Sequence, residues 1–400
     1  MEKTSDLLCR LRSDLTQELE NTWDISDEEI MEMIDNLLLE EKKKTYLSLT
    51  RLEDLKKELF QSLRKMDVLE ELLEDESITE IMVNHWDRIF IEREGRLSRW
   101  EKSFTSPEKL EDVIGQIASR CNRVINTLQP VVDARLSGGE RVNAVIPPVA
   151  LDGPVLTIRK FPQEPVTMKK LLELGSLTKE AAAFLANAVA AGYTILIGGG
   201  TGSGKTTFLN ALSHYIPEEE RVITIEDNAE LQIQGIPNLV RLECRQANIE
   251  KSQEITIGDL LKACLRMRPS RIIVGEVRAG EAAQLLQAVN VGNDGSLSTI
   301  HANTCKDMVS RLETMVLMGI QLPIPVIRRQ IASGFDLFIH LGRMKDKSRK
   351  LMEIAEIEGM DGEEIGLNPL FVRKEEGLVK TGVLHHKDKF RKAGISYEDI

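Results

Sequence analysis

Residues 199–206 read G-G-T-G-S-G-K-T, which meets the spacing G-x-x-x-x-G-K-[ST]. The chemistry of that spacing is phosphate binding. Glycines let successive backbone N–H groups turn inward where side chains would block the approach. A following helix adds its positive N-terminus beneath the anion. Lys205 is then placed to reach the β- and γ-phosphates, and the Thr206 hydroxyl to ligate Mg²⁺. The expected cradle is Gly199, Gly200, Thr201, Gly202, Ser203, Gly204, Lys205, Thr206 and Thr207, with ATP and Mg²⁺ as its cofactors. An apolar strand, Thr194 to Ile197, precedes it, and a helix bearing Phe208, Leu209 and Leu212 follows, which is the context a chance turn lacks.

Hydrolysis also needs an oriented water and a carboxylate near the metal. Two apolar stretches end in acids: "RVITIED" at Glu226 and Asp227, and "RIIVGEV" at Glu276. In a parallel sheet the C-terminal strand ends converge on the ligand. Either acid alone reads equally as a cap or a solvated residue; two of them downstream of a phosphate loop point to function. His301, in "GSLSTIHANT", follows a short strand. A lone histidine is more often a structural hydrogen-bonding residue, and spacing does not separate the two roles.

These groups need a scaffold. From residue 166 two helical stretches end at Gly175 and Gly192, and strands then alternate with helices, the mark of an α/β domain with a mainly parallel sheet. Residues 76–165 read as mixed α/β: a hairpin turning at Glu94-Gly95, a helix capped by Ser106 with Pro107 first, and a hairpin around Gly138-Gly139. Residues 1–75 read as acidic amphipathic helices, with Ile30, Met33, Ile34, Leu37 and Leu38 on one face and Leu52, Leu55, Leu59 and Leu63 on another. Such stripes usually mark helix packing, and we expect these also to contact a partner or a neighbouring subunit. Residues 346–400 read as a small tail with short strands, and its adjacent His385 and His386 read as surface.

Composition narrows the class. The chain has 400 residues, 42% of them hydrophobic, which excludes a mostly disordered protein. A net charge of −12 with 4% aromatic residues offers neither the basic strip nor the stacking platforms of a nucleic-acid motor, so no direct nucleic-acid binding is expected. The longest apolar run is broken by Asn187 and Gly192, so no transmembrane segment is expected. The N-terminus lacks a signal-peptide pattern, and the five scattered cysteines contain no C-x-x-C pair. A cytoplasmic protein is expected.

Four stretches in order resemble the nucleotide boxes of the type II/type IV secretion-system ATPases: "GGTGSGKTT" the Walker A box, "ITIEDNAEL" the Asp box, "RPSRIIVGEVRAGEA" the Walker B box and "GSLSTIHAN" the His box. "LLEDESITEIMVN", "CNRVINTLQPVVDARLSGGERVNAVIPPVALDGPVLTIRKF" and "LRMRPSRIIVGE" resemble most closely the CpaF-type ATPases of tight-adherence (Flp) pilus assembly. The resemblance spans about residues 65–345. It implies a RecA-like P-loop ATPase domain over 166–345, preceded by the mixed α/β domain 76–165 and the helical segment 1–75.

It also implies a homo-hexameric motor acting on an inner-membrane platform protein, peripheral to that membrane, with each site formed between the RecA-like domain and the upstream domain. Glu276 would be the principal catalytic carboxylate, Glu226 would assist with Mg²⁺ and the attacking water, and His301 would sit near the γ-phosphate. Metal ligands would be Thr206, Glu226 and Glu276. The upstream domain would contribute Arg135, Arg141 and Arg159. The sequence departs from the pattern at Asn293 (usually His), Ser270 (usually Asp) and Ala279 (usually Gly), and over the loop in "CRQANIEKSQEITIGDL". Two other readings compete: a nucleic-acid-translocating or conjugative ATPase, and a nucleotide-gated scaffold without significant turnover.

Overall fold

The structure, a computed structural model, describes residues 10–11, 15, 27–44, 49–64, 66, 68–93, 95–121, 123–136, 138–160, 165–245 and 254–396. The chain divides into two compact units, Met1–Gln163 and Glu164–Ile400.

In the first unit, helices Asp27–Lys44 and Leu49–Arg64 bury Ile34, Leu38, Leu55 and Leu59 in one cluster with Leu11 and Leu15. Much of the apolar stripe expected to meet a partner is therefore used within the unit. Each such side chain, fully buried, contributes about 1.5–3 kcal/mol. Helix Leu69–Glu74 leads into an antiparallel sheet of β1 (Ile78–His85), β2 (Arg88–Arg93), β3 (Arg96–Arg99), β4 (Val131–Arg135), β5 (Arg141–Val145) and β6 (Val155–Arg159). Its spatial order is β3-β2-β1-β6-β5-β4. Ser106 caps helix Pro107–Arg120, accepting from the Lys109 N–H. That helix buries Leu110, Val113, Ile114 and Ile117 against the face carrying Val142, Ala144, Leu156 and Ile158. Glu94 lies outside the described residues; β2 and β3 flank it as a hairpin.

The second unit is built on one sheet of β7 (Ile195–Gly199), β8 (Val222–Glu226), β9 (Leu239–Glu243), β10 (Arg271–Val277), β11 (Leu297–Ile300), β12 (Leu337–Arg343), β13 (Arg349–Asp361), β14 (Glu364–Lys374) and β15 (Gly377–Lys380). The order is β15-β14-β13-β12-β7-β11-β10-β8-β9. Strands β9, β8, β10, β11, β7 and β12 pair in parallel. This α/β sheet is covered on both faces, so β7 is apolar throughout: Ile195 and Ile197 join Phe184, Leu209 and Leu212 on one side, and Leu196 joins Met308 and Leu312 on the other.

Strands β13–β15 continue the same sheet in antiparallel fashion. Residues 346–400 thus carry strands of 13 and 11 residues in place of the short ones expected. The segment after β15 folds back onto the start of β7. Tyr193 donates to the His386 carbonyl at 2.6 Å, Lys389 pairs with Asp336 at 2.7 Å, and the Phe390 ring packs tilted against Tyr193. His385 and His386 have exposed rings, bonded to Glu358 and Glu356.

Candidate nucleotide site

Strand β7 runs out at Gly199, and the chain turns back before helix Lys205–Ser213 begins. That reversal needs small residues. A Cβ on Gly199 would lie 2.4 Å from Ser203 Oγ and 2.7 Å from the Leu341 carbonyl oxygen. Gly202 and Gly204 take φ of +72° and +92°, where side-chain-bearing residues are strained. The loop is therefore folded as a concave backbone arch. Thr201 is exposed on it, Ser203 is buried with its hydroxyl unpartnered among the described residues, and Thr206 and Thr207 are half-buried in the first helical turn.

Lys205, 8% exposed, points its Nζ back over the arch. It donates to the Gly199 carbonyl at 3.2 Å, lies 3.4 Å from Glu276 Oε1 and 3.5 Å from His301 Nε2. Glu276 comes from the C-terminal end of β10, and His301 directly follows β11, the strand between β10 and β7. Glu276 Oε1 is 2.9 Å from His301 Nε2, while its Oε2 accepts from Arg278 Nε at 2.6 Å. Arg278 also reaches Asp227 at 3.5 Å. Burial pulls the Lys205 pKa down, and the Glu276 carboxylate opposes that pull. Burial likewise lowers the His301 pKa, with Glu276 opposing and Lys205, Arg278 and Arg311 reinforcing, so the imidazole is held neutral near pH 7.

Glu226, at the end of β8, is only 3% exposed. Its Oε2 accepts from the N–H groups of Glu230 and Leu231 at 2.7 and 2.8 Å, and its Oε1 is buried without a partner among the described residues. Burial pushes its pKa up to about 7, against those two hydrogen bonds. A Cβ on Gly275 would come 3.1 Å from the Glu226 side chain, so the glycine in β10 makes room for it. Asn210, from the helix after the loop, accepts from the Gln232 N–H at 3.0 Å and fixes the same turn.

Beside the arch opens a cleft of about 460 Å³, lined by Gly200, His301, Asn303, Asp307, Ser310 and Arg311. The arch with Lys205 folded over it fits a polyphosphate: at Gly200, on the cleft side, the space a Cβ would enter is open. Among the described residues no three His, Cys, Asp or Glu groups gather to hold a metal ion. Mg²⁺ usually takes only one or two protein oxygens and the rest from phosphate and water, a demand that the Thr206 hydroxyl with one strand-end carboxylate would meet.

Arg135, Arg141 and Arg159 lie in the first unit, and the sheet register lines them up. Arg135 pairs with Arg141 across β4 and β5, Arg141 with Arg159 across β5 and β6, and Arg159 with Glu80 across β1 and β6. Directly opposed residues share a face, so the three guanidinium stems form one row on the side away from the core.

The departures from the expected pattern have local accounts. Asn293 is buried and donates to the Ala288 carbonyl at 2.7 Å, closing helix Ala282–Asn290. The Ser270 hydroxyl accepts from the Arg221 N–H at 3.2 Å. Ala279 donates its N–H to Glu281 at 2.9 Å. Residues 246–253 of the substituted loop lie outside the described residues. Arg278, Asn210 and Arg349 (whose Nε donates to the Gly202 carbonyl) were not picked out from the sequence. Only Arg278 carried a signal there, standing two residues from Glu276.

A family profile described as type II/IV secretion system protein matches residues 62–361. A putative conjugal transfer protein of Mycobacterium tuberculosis is 34% identical over 328 residues, covering 80% of this chain and 88% of that protein. The type IV secretion system protein VirB11 of Brucella suis is 35% identical over 306 residues, covering 69% and 84%. Among solved structures, the pilus retraction motor PilT with bound ADP has the same fold, with a TM-score of 0.55 at 21% identity over 76% of this chain and 83% of that one.

Proposed function

The chain belongs to the type II/IV secretion system protein family, and from that premise we propose that it is a Mg²⁺-dependent ATPase that drives pilus assembly or protein secretion. The observation that carries this reading is the convergence of Lys205, Glu276 and His301 at the mouth of the glycine arch. With ATP bound, the β- and γ-phosphates take Lys205 Nζ away from Glu276. Glu276 is then free to orient the attacking water and accept its proton, held in aim by His301 at one oxygen and Arg278 at the other. Thr206, with the strand-end carboxylates, would hold Mg²⁺, which would supply charge neutralisation to the phosphates. Glu226, on its buried turn, shapes that side of the site.

The finer reading follows the motif resemblance: a homo-hexamer of the CpaF type, on the cytoplasmic side of the inner membrane, working against a platform protein of an Flp-like pilus. No helix among the described residues is long and apolar enough to cross a membrane, so recruitment by a partner is the proposed route to that surface. The test is Mg²⁺-dependent phosphate release by the purified protein beside Lys205→Ala and Glu276→Gln, with native mass measured in the same buffer. Turnover lost in both variants of a hexamer supports the motor; wild-type ATP binding without turnover supports the gated scaffold. A nucleic-acid motor is favoured only by the names of relatives such as the conjugal transfer protein. Stimulation of turnover by single-stranded DNA would replace the pilus reading with it.

A further inference from the structure

Strands β12 and β13 are joined by a turn over residues 344–348, and their register sets Arg343 directly opposite Arg349. Both arginines meet the glycine arch. Arg349 Nε donates to the Gly202 carbonyl at 3.1 Å, and Arg343 Nη1 is 3.3 Å from where a Cβ of Gly202 would stand. Arg349 Cδ is 3.2 Å from the equivalent point on Gly204. Neither arginine forms an ion pair among the described residues, in a chain with a net charge of −12.

The contact falls on an informative peptide. The Gly202 carbonyl and the Ser203 N–H belong to the same planar unit, and that N–H is directed back across the loop to the Gly200 carbonyl at 3.3 Å, opposite in sense to the carbonyl that Arg349 holds. Gly202, at φ +72°, has no side chain to bias its peptide plane. A guanidinium on the outward carbonyl fixes the plane, and with it the inward aim of the N–H. It also polarises the peptide so that the N–H is a better donor to an anion.

We propose that Arg349 is a positioning residue for nucleotide binding, which locks the Gly202–Ser203 peptide with its N–H facing the polyphosphate, and that Arg343 adds positive charge behind the same loop. This rests on the ATPase reading above and names a determinant of it that lies outside the four nucleotide boxes. The sheet extension β13–β15 is thereby tied to the phosphate loop through one hydrogen bond.

The test is ADP titration by calorimetry of wild type, Arg349→Ala, Arg349→Lys and Arg343→Ala, with thermal melts of each without nucleotide. For Arg349→Ala the dissociation constant for ADP rises roughly tenfold, as loss of a charged hydrogen bond predicts. KM for ATP rises by a similar factor and kcat falls by less, while the nucleotide-free melt stays within about 2 °C of wild type. Arg349→Lys behaves like Arg349→Ala, because an ammonium keeps the charge but not the planar Nε donor. An unchanged ADP affinity in Arg349→Ala, or full affinity in Arg349→Lys, overturns the lock. Failure of wild type itself to bind ADP overturns the ATPase reading as well, so the two failures are distinct.

Discussion

Glu276 Oε1 lies 2.9 Å from His301 Nε2, with Lys205 Nζ 3.4 Å from the same oxygen. An ionised Glu276 needs the proton on Nε2 for that bond, which selects one tautomer of a histidine already held neutral by burial. The carboxylate is thus held by three groups without nucleotide, Lys205 and His301 at one oxygen and Arg278 at the other, and Lys205 is the one that the phosphate-loop spacing assigns to the phosphates.

Glu276→Gln is therefore expected to cut kcat on the order of 10²–10⁴-fold, the range for loss of a general base. ADP affinity should hold or improve, since Lys205 loses its competing anion. Phosphate-release assays paired with ADP calorimetry check both halves. Comparable losses of kcat and affinity would mean that Glu276 holds the loop and does no chemistry.

The burial of Glu226 has a pH signature. Its pKa, raised from an ordinary 4.5 to about 7, means that the native state binds more protons than the unfolded chain between those values. Stability without nucleotide therefore falls as pH rises from about 5 to 7, by at most about 3 kcal/mol from this group. Glu226→Gln should flatten that part of the profile. Urea midpoints of both proteins at pH 5.5 and 8 measure it; parallel profiles would exclude the assignment.

The arginine row gives a third outcome. Should one of Arg135, Arg141 and Arg159 act on the transferred phosphoryl group, as the motif resemblance implies, its alanine variant loses on the order of 10³-fold in kcat while ADP binding is unchanged. Equal activity in all three variants would assign the row to the sheet surface alone.

Asn293 separates structure from chemistry at one of the positions where the sequence departs from the expected pattern. Its buried amide closes a helix through the Ala288 carbonyl. Asn293→Ala should cost about 1–2 kcal/mol of stability and leave kcat within about twofold once folded protein is counted. A large kcat loss at unchanged melting temperature would place this residue in the reaction.

Local signals made the centre of the site legible in the sequence. The loop from Gly199 to Thr206 joins a strand to a helix as its spacing predicts, and Glu226 and Glu276 stand at strand ends because apolar runs announce buried parallel strands. What pairs across long separations was not legible. Arg349 is 147 positions from the carbonyl it holds, and nothing near it marks that contact. The addition of β13–β15 to the sheet is likewise a matter of strand pairing, which local pattern does not fix. The burial of Glu226 was hidden for another reason: the room for it comes from Gly275 on a different strand.

The topology also sets a schedule for the chain during synthesis. Strands β1–β6 lie within residues 78–159, so the first unit can close while the remainder is still being made. Strand β7, by contrast, is flanked by β11 and β12, and its entry is tied down by His386 and Lys389. Its Ile195 and Ile197 face is covered by near neighbours in the chain, but its two strand partners, and Met308 and Leu312 over Leu196, leave the ribosome only about a hundred residues later or more. Slow codons or chaperone depletion should then harm the second unit first, and nascent chains stalled before β12 should be the ones that aggregate.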